Sequence, residues 1–257
     1  MNGVIQKLFH YPIKGLSAQP LASVVMRKGE GFPLDRAFGF ARSGSGFDPQ
    51  NPSPLPKTKF IMLAKDENLA RLDTFYDGAV GILSITRNGK TALFDITNYD
   101  GRNEASKYLA EHLNFSDELQ PTLHSAEPHK FTDVSVVSPE MMNAVSLINL
   151  ESVSHLSEVL GQKVDPARFR GNIIFSGLPA FSELDLIGQR LMLGNVQVKV
   201  VRRTKRCSAT EVNLKTAERD LNIPKILRDY FGHSDMGVYA EVVSCGDLKP
   251  GDEIHSF

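Results

Sequence analysis

Residues 190–207 read RLMLGNVQVKVVRRTKRC. Two apolar-rich runs, Arg190–Leu193 and Val196–Val201, are joined by Gly194-Asn195, a tight turn. In the second run Val196, Val198 and Val200 recur at every other position, which is the period of a strand rather than a helix. A β-strand therefore runs up to Cys207. Of the eight residues before that cysteine, five are basic (Lys199, Arg202, Arg203, Lys205 and Arg206) and none is acidic.

Moving outward, the pattern stays mostly β. Downstream come a helix at roughly Ile223–Tyr230, a strand over Gly237–Val243, and a last short strand introduced by Pro250-Gly251-Asp252. Upstream, Asn172–Phe175 and Val134–Val137 read as strands. Between them Val153, Leu156, Val159 and Leu160 fall at helical spacing, with Asn149 as cap and Gly161 as stop. In the first third, Val4/Gln6/Leu8 and Ile5/Lys7/Phe9 interleave before Tyr11-Pro12 breaks the run. Short apolar segments follow at Ala22–Met26, Ala37–Ala41, Phe60–Ala64, Ile82–Thr86 and Thr91–Ile96, separated by Gly or Pro clusters. That spacing predicts a small antiparallel barrel or sandwich. Asn88-Gly89 is the strongest hairpin turn, Gly44–Gly46 reads as a hairpin tip, and Asn103–Leu113 reads as a helix with Tyr108, Leu109 and Leu113 on one side. A polar, proline-bearing stretch from Gln120 to Thr132 separates two regions. The expected class is α+β, mostly β, with no internal repeat.

Composition sets the outer limits. The chain has 257 residues, 41% hydrophobic and 23% charged, as in ordinary globular proteins. Its 29 basic and 30 acidic residues give a net charge of −1, which argues neither for a nucleic-acid binder nor for a membrane-surface protein; no nucleic-acid or membrane partner is expected. Two cysteines make no disulfide framework and read as thiols in a reducing compartment. The N-terminus lacks a signal-peptide pattern, and no apolar run reaches the roughly 18 residues of a membrane span. A cytoplasmic location is the expectation. The seven histidines lack ligand spacing and there is no Cys-x-x-Cys pair, so a simple zinc site is not expected. Neither a Walker loop nor a dinucleotide fingerprint occurs, and pyridoxal phosphate is not expected.

The chemistry concentrates at Cys207. Neighbouring positive charge favours a thiolate, which is both a nucleophile and a soft metal ligand, and it attracts anions such as phosphate. The alternative is that Cys207 is a small buried residue beside a solvated basic edge. Cys245 follows Val242-Val243 with no basic neighbour and reads as a packing residue. Three further segments carry cations beside turn-forming residues: Tyr11-Pro12-Ile13-Lys14-Gly15, Pro33-Leu34-Asp35-Arg36, and Asp165–Asn172 with Arg168 and Arg170. In extended chain these last two arginines would share one face. Each segment alone is more typical of a surface salt bridge; together they supply the parts of an anion pocket.

Taken in order, Tyr11–Leu16, Leu34-Asp35-Arg36, Asn149–Leu156, Arg168–Asn172, Arg206-Cys207, and Gly237–Tyr239 through Gly251-Asp252 resemble MOSC proteins that carry an N-terminal β-barrel domain. That group includes the mitochondrial amidoxime-reducing component and its bacterial relatives. The resemblance covers nearly the whole chain. It implies an N-terminal β domain over 1–122 packed with a MOSC β-barrel domain over 123–257 with peripheral helices. It also implies a molybdenum cofactor, Mo-molybdopterin, with Cys207 as the metal's protein ligand. Lys14, Gly15, Arg36, Asn149, Arg168, Arg170, Asn172, Arg206 and Tyr239 are the implied cofactor contacts, Asn149 through the helix start it occupies. Three departures stand out: Gly15 in place of serine, Arg170-Gly171-Asn172 in place of Arg-Pro-Asn, and Glu211, Asn213 and Ala217 in the loop after the cysteine.

The implied activity is reduction of N-hydroxylated or N-oxide small molecules, the cofactor carrying the redox chemistry. Because the chain has no cysteine-rich iron–sulfur segment, a separate electron donor, a flavoprotein or ferredoxin-like protein, is required. Two rivals share the same residues. One is a non-catalytic carrier or insertion protein for the cofactor. The other is a sulfur-transfer protein working through a Cys207 persulfide.

Overall fold

The computed structural model describes residues 2–256. Its centre is a closed barrel of seven strands: β1 (Asn2–His10), β2 (Val145–Asn149), β3 (Ile173–Ser176), β4 (Arg190–Leu193), β5 (Val196–Lys205), β6 (Asp235–Val242) and β7 (Glu253–Ser256). Neighbours run β3-β2-β6-β5-β4-β7-β1, and β1 closes the ring by pairing antiparallel with β3 (Ile5 opposite Phe175). Only β2 and β3 are parallel, Ile148 opposite Ile174. Closure leaves no open edge among these strands.

Alternation explains the barrel core. Ile5, Leu8, Val145, Leu147, Phe175, Leu193, Val196, Val198, Val200, Ala240 and Val242 are all buried in one cluster. Each fully buried Val, Leu or Ile contributes about 1.5–3 kcal/mol by leaving water. The expected Gly194-Asn195 turn joins β4 to β5, with Leu193 opposite Val196. Helix α2 (Leu150–Leu160) starts and stops as expected: the Asn149 side chain accepts the Glu151 N–H, and Gly161 adopts the left-handed conformation at the end.

The rest of the first half builds a second layer. Strands Asp73–Asp77, Ile82–Arg87 and Lys90–Asp95 form an antiparallel meander, and Phe38–Ala41 pairs with Thr122–Ser125. Helix α1 (Tyr99–His112) packs Ala105 and Leu109 against Leu83, Ile85 and Phe94. At the Asn88-Gly89 turn both residues have positive φ (50° and 74°), as a type I′ hairpin demands. Side chains cross the 122/123 division in both directions: Val24, Met26 and Phe32 join the barrel core, and Val212 joins the first-half core.

Several local expectations are corrected. Val134–Val137 is a series of turns and Phe60–Ala64 is not a strand, although Phe60 makes one bridge to Ala41. In the second segment Ile61 and Leu63 are still buried, so tertiary packing uses their apolar character without strand pairing. Gly44–Gly46 lies in a long loop that returns at Lys59 rather than at the tip of a hairpin. Arg168 and Arg170 do not share an extended face, because Pro166–Phe169 forms a 3₁₀ turn and Arg170 is left-handed. Cys245 is exposed past the end of β6, not packed. Among the described residues no helix is long and apolar enough to cross a membrane.

Candidate functional site: a basic cavity with one thiol

The barrel interior is full, so the site lies outside it. Ser146 of β2, Tyr239 of β6 and Arg202 of β5 face one another across paired strands, and with Thr204 they form the wall of a cavity of about 480 Å³. Strict alternation after Val200 would send Arg202 and Thr204 inward. A bulge in β5 between Val200 and Arg202 reverses the parity and turns both to the cavity. The opposite wall comes from the first half of the chain, at Lys14-Gly15, Asp35-Arg36 and Pro56-Lys57, and from Phe131–Val134 just past the 122/123 division.

Cys207 lies two residues past the end of β5, half-buried at the cavity wall, with its carbonyl accepting the Thr210 N–H at 3.0 Å. Lys57 Nζ donates to Cys207 Sγ at 3.3 Å and to Asp133 Oδ2 at 3.2 Å. The other Asp133 oxygen pairs with Lys14 Nζ, which also donates to the Phe131 carbonyl at 2.9 Å. Burial lowers the pKa of Lys14, and Asp133 opposes that. For Asp133, burial pulls upward, but the two ammonium groups outweigh it and hold the carboxyl far below its usual range.

Two arginines grip one ring. The guanidinium carbons of Arg36 and Arg170 each lie 4.3 Å from the Tyr11 ring centroid. Arg36 also forks onto Asp35 (2.7 and 2.6 Å) and donates to the Arg170 carbonyl at 3.1 Å; Arg170 donates to the Leu16 carbonyl at 2.7 Å. Both have left-handed backbones (φ 51° and 52°), a conformation that costs roughly 1–3 kcal/mol per non-glycine residue and collects at functional sites. Burial lowers Arg170 to about 10, so it stays charged at neutral pH.

Arg206 is lowered to about 10, first by burial, and is anchored rather than free. It donates to the Phe169 carbonyl at 2.8 Å and from Nε to the Met236 carbonyl at 2.8 Å. The second contact depends on Gly237, whose φ of +74° and a would-be Cβ only 2.3 Å from the Leu147 carbonyl oxygen admit no side chain. Gly171 is similarly confined: a Cβ there would lie 2.4 Å from Ile148 Cγ1, which accounts for glycine between Arg170 and Asn172 in this chain. Tyr239 has its pKa raised by burial, against the pull of Arg206, and keeps its phenolic proton.

All but one of the sequence-selected residues line this cavity, namely Lys14, Gly15, Arg36, Arg168, Arg170, Asn172, Arg206, Cys207 and Tyr239. Asn149 does not. Its Nδ2 donates to the carbonyls of Leu178 and Pro179 and to Glu183, while Oδ1 caps α2, so its polar atoms are committed to the fold. Two of the lining residues are also saturated. Arg168 grips both Asp220 oxygens (2.7 and 2.8 Å) and two carbonyls after the cysteine; Asn172 binds Ser146 and the Phe9 carbonyl.

Sequence reasoning missed Lys57, Asp133 and Thr204. Lys57 ends a proline-rich loop and Asp133 precedes turns, and neither pattern signals a site. The basic run upstream of Cys207 is less decisive than expected. The cation in contact with its sulfur is Lys57, 150 residues away. Nine basic and two acidic side chains line the cavity, so its field strongly favours an anion.

A single thiol thus stands on the wall of a cationic cavity outside a closed barrel. The chain belongs to the MOSC domain family, whose model matches residues 123–255. It is similar to a molybdenum cofactor sulfurase of Caenorhabditis elegans, 36% identical over 97 residues covering 36% of this chain and 13% of that protein. It is also similar to mitochondrial amidoxime-reducing component 1 of Xenopus laevis, 26% identical over 183 residues covering 63% of this chain and 53% of the relative. The chain thus spans about half the length of the amidoxime-reducing relative and a much smaller part of the sulfurase. Among solved structures, the YUAD protein of Bacillus subtilis aligns over 100% of this chain and 97% of its own, with TM-score 0.45 and 13% identity.

Proposed function

We propose that this protein is a molybdenum-cofactor-dependent oxidoreductase that reduces N-hydroxylated or N-oxide small molecules, with Cys207 as the metal's protein ligand. The observation that carries this reading is the lone half-buried thiol among nine basic and two acidic cavity side chains. Among the described residues no group of three or more His, Cys, Asp or Glu side chains is placed to hold a metal. A metal here must therefore bring most of its own ligands. A pterin dithiolene with a terminal phosphate does so, and it carries the negative charge that the wall calls for. Thr204 fits the same group: its Oγ1 is buried without a hydrogen-bond partner while the residue lines the cavity.

When bound, that cofactor supplies the two-electron chemistry needed to cleave an N–O bond. The protein's residues do the rest. Lys14, Arg36, Arg170 and Arg206 balance anionic charge, and the Gly15 backbone allows close approach. Asn172 fixes the strand ends behind the site. Tyr239 holds a proton at its phenolic oxygen and donates it as a hydrogen bond into the cavity. Arg168 acts at one remove, clamping the segment after Cys207 through Asp220. Of that segment Ala209 and Thr210 line the cavity, whereas Glu211, Asn213 and the buried Ala217 lie behind it. Electrons come from a separate flavoprotein or ferredoxin-like donor. We assign residues 1–122 and 123–257 as the two structural domains, with the segment up to Phe32 reaching across.

The test is elemental analysis with pterin fluorescence on wild type and Cys207→Ala from a cofactor-competent host, followed by assays of amidoximes with an artificial reductant. Near-stoichiometric molybdenum in wild type, its loss or an altered metal spectrum in the variant, and turnover are the expected results. The relationship to cofactor sulfurases keeps a second reading in play. Wild type that carries a persulfide on Cys207 but no pterin would replace the reductase with sulfur transfer. Molybdenum-loaded protein without turnover would make it a carrier.

A further inference from the structure

Lys57 stands apart from the other cavity cations because it touches the sulfur. Its ammonium lies 3.3 Å from Cys207 Sγ and 3.2 Å from Asp133 Oδ2, and Lys14 holds the second Asp133 oxygen. The loop that delivers it is fixed at its far side: the Phe47 ring packs 5.1 Å from Phe131 and 5.6 Å from Phe60, edge-on or tilted. Phe131 in turn supplies the carbonyl that anchors Lys14. The ammonium is thus held by geometry on both sides, not drifting on a free side chain.

We propose that Lys57 is a positioning residue for the metal-binding sulfur, donating an N–H···S hydrogen bond to Cys207 while Asp133 fixes the direction of the ammonium. This rests on the reading of Cys207 as a metal ligand. An ammonium has three donors and no acceptor, so one can serve the carboxylate and another the sulfur. A charge-assisted donor on a ligating thiolate draws electron density from it. The thiolate then donates less to the metal, and the reduced metal becomes easier to reach. Lys57 belongs to the first half of the chain, so the electronic setting of the site depends on a segment outside residues 123–255 that match the family model.

The experiment uses molybdenum-loaded full-length protein: wild type, K57M, K57R, D133N and C207A. Three quantities are read: molybdenum per chain, midpoint potential followed by the paramagnetic metal signal, and the sulfur-to-metal charge-transfer band. K57M is expected to lower the potential and move the band to lower energy at unchanged metal content. K57R restores most of both, and D133N shifts them in the same direction by less. K57M at full metal content with wild-type potential and band overturns the proposal. So does K57M that loses metal while the remainder keeps wild-type properties, because Lys57 then only attracts the cofactor. If K57M does not fold or load, D133N decides alone, and an unshifted band overturns the proposal. Failure of the underlying reading looks different: C207A would then keep the wild-type potential and band.

Discussion

Replacing Tyr11 with leucine tests the gripping of two cations by one ring. Tyr11 is buried, with a guanidinium centred 4.3 Å from its centroid on behalf of each of Arg36 and Arg170. Each such contact is worth roughly 0.5–2 kcal/mol, so Tyr11→Leu should cost about 1–4 kcal/mol in addition to any packing change. The hydroxyl adds little. Its hydrogen bond to the Gly171 carbonyl is long at 3.3 Å, and Tyr11→Phe should cost less than about 1 kcal/mol. For a chain of this size each kcal/mol moves Tm by about 2–4 °C, so the leucine variant should melt about 2–16 °C lower. Urea unfolding is followed by far-UV circular dichroism, since the chain has 0 tryptophans. A double-mutant cycle with Arg170→Met separates the cation–ring contact from packing, and it should return a coupling of about 1 kcal/mol. Coupling within about 0.3 kcal/mol of zero would refute the argument and reduce Tyr11 to a space-filling residue.

Three further outcomes follow from the same geometry. Gly237→Ala places a methyl 2.3 Å from a carbonyl oxygen at φ +74°, so it should destabilise by at least about 2 kcal/mol in thermal melts and loosen Arg206. A variant with wild-type Tm would show that the β6 backbone yields there. Asp133 has a depressed pKa, so its stabilisation is present above the unfolded value of about 3.9 and is lost as pH falls through the folded value. The stability deficit of Asp133→Asn should therefore be constant from pH 7 to pH 5 and close below about pH 4; a deficit that ignores pH would contradict the ion pairing. Thr204→Val removes an unpaired buried hydroxyl, so cofactor-free protein should be unchanged or up to about 1 kcal/mol more stable. The same variant should hold less molybdenum, and equal metal content would free Thr204 from any role.

What could be read in advance was whatever short-range physics decides. The alternation of Val196, Val198 and Val200 announced β5 because one face of that strand is buried and the other is not. Asn149 and Gly161 marked α2 because cap chemistry is local. Where long-range packing decides, the pattern misled. Val134–Val137 has strand-like composition, yet Val136 and Val137 stay exposed in turns. Cys245 sits among apolar neighbours but lies beyond the last core residue of β6, so it faces water. Arg168 and Arg170 looked equivalent by spacing. A 3₁₀ turn sends one to Asp220 and the other to Tyr11. The closure of β1 onto β3, and the meeting of Lys57 with Cys207, join residues about 150 or more apart, and no local pattern specifies either.

The position of the cavity follows from the barrel being full. With Val196, Val198, Val200, Val238 and Ala240 packed inside, no ligand of useful size enters, and recognition must use the outer face of the same strands. On a regular strand, however, residues that follow the inward valines at even numbers would continue inward. Two irregularities solve this. The β5 bulge turns Arg202 and Thr204 outward, and the second register shift, at Gly237 of β6, opens the Met236 carbonyl to Arg206. Had Val201 stayed in a regular ladder, with no bulge, alternation would have sent Arg202 and Thr204 toward hydrocarbon. The cost of burying a guanidinium unpaired far exceeds that of any single apolar contact. A barrel this tightly filled can carry a cationic site on its wall only because its strands are locally out of register.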